Sequence, residues 1–146
     1  MALDRERVIR RTSYIREQTT VLRRLLTERG KEAILQDPWL ISAVKYKLQT
    51  AIEACIDLTY HVCAKRLGQV PEDARDGLRR LKESGLLSDA EQAKYGDMVG
   101  FRNRLVHGYQ EVSAEHIVAI LQEDLGDLDL FAEIMLRLLS EEGSPG

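Results

Sequence analysis

Asp37-Pro38-Trp39-Leu40-Ile41-Ser42-Ala43-Val44-Lys45-Tyr46-Lys47-Leu48 opens the pattern that decides the fold. Asp37 can cap free helix N–H groups. Pro38 suits the first helical position, where its missing N–H would have no partner anyway. Ile41, Val44, Leu48, Ala51, Cys55, Leu58 and Val62 then recur every three or four residues, which lines one face of a helix. Gly68 is placed to end it. The spacing predicts about 30 residues of helix, roughly 45 Å, the length of a bundle helix. Glu53 and Asp57 lie four apart on it and face the same way; solvent, a cleft or a dimer seam would each suit them.

The flanks carry the same period. Upstream, Val8, Thr12, Ile15, Thr19, Leu22 and Leu26 predict a first helix from about Asp4 to Arg29, stopped or bent at Gly30. Downstream, Pro71 predicts the start of a shorter helix with Ala74, Leu78 and Leu81 inward and Gly85 as its stop. Ser88-Asp89-Ala90-Glu91 has capping-box spacing, so a fourth helix should run through Ala90, Lys94, Met98 and Phe101. Ser113 can cap a last helix, with Glu115 in its first turn and Ile117, Leu121, Leu125, Leu128, Phe131, Met135 and Leu138 as its apolar stripe. No alternating pattern suggests a strand. The expected architecture is all-α, an up-down bundle of four to five helices forming one domain over residues 1–142, with 143–146 as a flexible tail.

Composition narrows the function classes. A chain of 146 residues with 44% hydrophobic and 31% charged residues can bury one core and is not of the disordered type. Charges interrupt every apolar run before it reaches membrane-spanning length, and Met1-Ala2-Leu3-Asp4-Arg5-Glu6 lacks an apolar signal core, so a cytoplasmic protein is expected. Cys55 and Cys63, eight apart on one helix, stand roughly 12 Å apart, too far for a disulfide, and read as small buried residues. Residues 1–29 hold eight Arg against four acids, whereas residues 111–142 hold nine acids against Arg137 alone. With a net charge of −3 overall, this asymmetry reads as two helices attracting each other within the bundle rather than as a nucleic-acid surface. His61, His107 and His116 have no metal-ligand spacing, and there is no Cys-x-x-Cys pair, Gly-rich phosphate loop or nucleophile elbow, so no metal and no cofactor are expected.

One stretch does concentrate chemistry: Phe101-Arg102-Asn103-Arg104-Leu105-Val106-His107-Gly108-Tyr109. Arg102 and Arg104 carry fixed positive charge, His107 can exchange a proton near neutral pH, and Gly108 lets the backbone bend. Such groups can neutralise a phosphate and move protons beside it. On a straight helix Arg102 and His107 lie roughly 140° apart, while Asn103 and His107 share a face. Convergence therefore needs the helix to loosen near Gly108 or the long Arg102 side chain to curl around.

The spacing R-x-x-x-x-H-x-Y on Arg102, His107 and Tyr109 resembles the signature of the HEPN superfamily, and the Tyr two residues after the His resembles its HepT branch. Tyr46-Lys47-Leu48-Gln49-Thr50-Ala51-Ile52-Glu53-Ala54-Cys55-Ile56-Asp57 resembles the long second helix of HepT-like proteins. Leu81-Lys82-Glu83-Ser84-Gly85-Leu86-Leu87 and the final helix fit too, so the resemblance covers nearly the whole chain. It implies a HEPN-type bundle that forms a homodimer with the motif cleft at the seam, and a metal-independent endoribonuclease acting as a toxin. It implies Arg102 and His107 as the catalytic pair, Asn103 as their polar helper, and Arg104 and Gly108 in support. It further implies an MntA-like nucleotidyltransferase antitoxin as partner, which transfers AMP from ATP to Tyr109. The alternative is a noncatalytic helical module that docks on and regulates such a nucleotidyltransferase; His107 discriminates, since docking alone does not need it.

Overall fold

The computed structural model describes residues 1–108 and 112–143. These form seven helices and no strand, rather than the expected four to five: α1 (Arg5–Arg29), α2 (Lys31–Leu35), α3 (Pro38–Arg66), α4 (Ala74–Glu83), α5 (Asp89–His107), α6 (Ala114–Glu123) and α7 (Leu125–Gly143). Helix α3 is the axis of the bundle, packing against α1, α4, α5, α6 and α7. All seven residues of its predicted apolar stripe are buried, as are all seven of the stripe running through α6 and α7. Both cysteines are buried free thiols, and desolvation pushes each thiol pKa up.

Local chemistry explains the boundaries. Asp37 accepts from the N–H groups of Trp39 and Leu40, with Pro38 at the first helical position, and Ser88 and Glu91 form the complete capping box of α5. Ser113 caps α6 through the His116 N–H. One expectation gains an element and two are corrected. Gly30, at φ 82°, ends α1 but also leads into the one-turn helix α2, which buries Ile34. Pro71 stays outside α4, because Asp73 is the residue that caps it, accepting from the Asp76 N–H. The long final helix is interrupted at Asp124, whose N–H still bonds the Ile120 carbonyl while the Asp127 N–H bonds back to the Asp124 carbonyl. Of the expected tail, Gly143 closes α7 and residues 144–146 lie outside the described residues.

The charge asymmetry is partly spent inside the bundle. Arg23 of α1 pairs with Asp129 of α7 at 2.6 Å, and Thr19 donates to the same carboxylate. Arg7 and Arg11 instead grip Asp57 of α3. The chain start is pinned as well: the Asp4 N–H donates to His61 Nε2 at 2.9 Å and the Leu3 N–H to Glu142.

Two features set the position of α5. Helix α4 approaches α3 so closely at Gly77 that a Cβ there would stand 2.7 Å from Thr59 Cγ2. The inward face of α5 is Tyr95, Val99 and Phe101; of the residues through which the helix is expected to run, Phe101 alone is buried. Tyr95 meets Phe131 of α7 edge to face at 5.0 Å.

Candidate active site

The last two turns of α5 stand over a cleft of about 560 Å³ bounded by α3 and α4. Arg102 and Asn103 line it from α5, Glu53, Asp57 and Tyr60 from α3, and Arg75 from α4. Arg102 is held firmly. Its Nε and Nη2 both donate to Glu53 Oε2, at 3.1 and 2.8 Å, and its Nη1 donates to Asn103 Oδ1 at 3.2 Å. A guanidinium with two of its nitrogens on one carboxylate has little rotational freedom left. Neither partner of this ion pair is deeply buried, with about a third or less of each side chain exposed, so solvent and a competing anion can both reach it.

Asp57 lies one turn beyond Glu53 and is already engaged by Arg7 and Arg11, so two carboxylates on α3 each hold arginine from a different helix. The hydrogen bonds to Asp57 raise the Arg7 pKa further. Tyr60 also lines the cleft; burial, with Asp73 and Asp76 nearby, raises its phenol pKa.

His107 is the final residue of α5, on an exposed turn, and is not among the residues lining the cleft. The helix stays regular through His107, and Gly108 takes the left-handed conformation at φ 65° only after it. The backbone thus departs from the helix at Gly108, directly after His107. The other route is taken in part: Arg102 reaches the Asn103 amide, which sits one turn before His107 on the same helix face. Tyr109 lies outside the described residues.

Arg104 faces elsewhere. Its guanidinium lies 5.9 Å from the centre of the Phe101 ring, within cation–π range, and it lines a second cavity of about 490 Å³ on the other flank of α5 together with Lys94 and His116. Among the described residues no three His, Cys, Asp or Glu side chains converge as a metal site, and no helix is long and apolar enough to cross a membrane. Arg75 and Tyr60 are lining residues that spacing did not single out, and Glu53 was placed on a helix face but not in the site. Glu53 had a signal in its i, i+4 pairing with Asp57, but nothing local linked it to Arg102.

Comparison with known proteins bears on this geometry. The profile of a protein family described as "Ribonuclease HepT-like" matches residues 15–135. The mRNA nuclease HepT of Shewanella oneidensis is 32% identical over 100 residues, spanning 68% of this chain and 75% of that protein. A putative RNase of Archaeoglobus fulgidus is 31% identical over 119 residues, spanning 82% and 83%. The fold matches the solved structure of the tri-AMPylated Shewanella oneidensis HEPN toxin in complex with its MNT antitoxin. That match has a TM-score of 0.83 and 25% identity over 92% of this chain and 99% of the toxin.

Proposed function

The chain belongs to the HepT-like ribonuclease family, and from that premise we propose that it is a metal-independent RNA endonuclease acting as the toxin of a toxin–antitoxin pair in the cytoplasm. The observation that carries this reading is Arg102, held by Glu53 and Asn103 at the mouth of a cleft, five residues before His107. RNA brings its own nucleophile. His107 takes the proton of a 2′-OH, the oxygen attacks the adjacent phosphorus, and the P–O5′ bond breaks as solvent water protonates the leaving 5′ oxygen. Arg102 compensates the charge that builds on the phosphoryl oxygens. The products are a 2′,3′-cyclic phosphate and a 5′-OH. Asn103 keeps the guanidinium turned toward the face that His107 shares.

Within one chain Arg102 points into the α3–α4 cleft while His107 occupies the exposed last turn, which favours a homodimer in which two such turns complete each other across a two-fold axis. An MntA-like nucleotidyltransferase silences the toxin by transferring AMP from ATP to the Tyr109 hydroxyl, with release of pyrophosphate. The relative solved as an AMPylated toxin with its antitoxin supports this assignment. A phosphate on Tyr109, two residues past His107, would compete with the RNA phosphate for Arg102. A noncatalytic module that docks on the nucleotidyltransferase is the second reading, favoured by the match of Arg102 to Glu53 and by the position of His107 outside the cleft.

The purified chain should cut RNA in the presence of a chelator and leave 2′,3′-cyclic phosphate ends. Incubation with the antitoxin, ATP and magnesium should add AMP mass on the Tyr109 peptide. Intact RNA, with AMP still transferred, would leave the docking module as the function.

A further inference from the structure

We infer that Arg75 is a substrate-binding residue of the same cleft, anchoring a phosphate of the RNA strand next to the one held by Arg102. The inference rests on the proposal that this cleft takes RNA. Of the carboxylates lining the cleft, Glu53 is paired with Arg102, and Asp57 with Arg7 and Arg11 from α1. The remaining carboxylate in the lining, Asp73, caps α4 by accepting the Asp76 N–H. Arg75 has no ion pair with any described residue. Its side chain makes one hydrogen bond among the described residues, Nη2 to the Gly96 carbonyl at 3.3 Å, which leaves most of its five donors available. It is also exposed, so a polyanion can reach it without opening the bundle.

The seat of this side chain is specific. The Arg75 guanidinium crosses the outer surface of α5 at Gly100, which leaves no side chain in its way, and reaches the Gly96 carbonyl one turn earlier. A Cβ at Gly100 would stand 2.6 Å from Arg75 Nη2. The position puts Arg75 on the ridge between the two cavities, since it lines both the Arg102 cleft and the second cavity, where Arg104 and Lys94 stand with Asp97, Asp124 and Asp127 and Lys94 is paired with Asp127. Gly100 costs helix propensity at a position where alanine would be the better helix former. A strand phosphate lying across α5 at this point would meet a planar fork of donors fixed from below, the geometry that suits a phosphate oxygen pair.

The test uses the full-length chain and a 2′-O-methyl RNA oligonucleotide, which has no nucleophile and so separates binding from cleavage. Arg75→Ala should weaken binding about tenfold and flatten its salt dependence by about one phosphate contact. Gly100→Ala retains the charge and displaces only the flexible tip of Arg75, so it should weaken binding in the same direction with unchanged helicity. Arg24→Ala, an exposed arginine of α1 removed from the cleft, should bind as the parent does. Parent-like binding by both Arg75→Ala and Gly100→Ala would overturn the assignment, as would an equal loss from Arg24→Ala, which would mean net charge alone. If the parent cuts no unmodified RNA, the ribonuclease reading fails, while the binding comparison still decides Arg75.

Discussion

The two halves of α5 are built on different principles. From Ser88 to Phe101 the helix is tied down by a capping box and by three buried side chains, one of which stacks edge-on against α7. From Arg102 to Gly108 no residue is fully buried: half-buried Leu105 packs against the core, and the rest of the anchoring is polar, a guanidinium on a carboxylate and an amide. Apolar burial sets the angle at which the helix leaves the core, and the polar half uses that rigidity to hold charge at a cleft. The comparison teaches that stability and chemistry are separable here along a single helix, with the division near Phe101.

Substitutions can break that division or sharpen it. The largest expected effect on stability is at Phe131, fully buried and stacked on Tyr95: Phe131→Ala should cost about 3–5 kcal/mol in denaturant unfolding. A smaller loss should follow at the start of the helix, where Ser88→Ala removes half of the capping box and should cost about 1 kcal/mol, again read by denaturation. The smallest effect is pH-linked. His61 accepts the Asp4 N–H on Nε2 and so is neutral, and burial together with Arg7 depresses its pKa. The unfolded chain then takes up the proton first as pH falls below the ordinary His value. Stability contributed by neutral His61 is therefore present above about pH 6.5 and declines as the solution becomes more acid. Unfolding measured on either side of that value should show the decline in the parent and a weaker one in His61→Gln.

Much of this was legible before any coordinates. Asp37-Pro38, Ser88-x-x-Glu91 and Ser113 mark helix starts because capping is local chemistry, and the apolar stripes of α1, α3 and α6–α7 report their buried faces directly. The break at Asp124 was hidden because the stripe from Ile117 to Leu138 runs across it without losing phase. Helix α2 is a single turn, too short to show a period. In the site, Arg102, Asn103 and His107 stood out by residue type, but the partner of Arg102 lies 49 residues away on another helix. Arg75 looks like any surface arginine until α4 is laid across Gly96 and Gly100. Contacts of that kind depend on how helices cross, which residue spacing does not encode.

The central claim is that the polar end of α5 performs chemistry and does not hold the bundle together. Cleavage of RNA in chelator should be measured for the parent, Arg102→Ala and His107→Ala, with thermal unfolding recorded on the same preparations. Each substitution should lower the cleavage rate by about 100-fold or more. Each should shift stability by no more than about 1 kcal/mol. Parent-like cleavage by either variant, or a loss of cleavage that follows unfolding, would contradict the account.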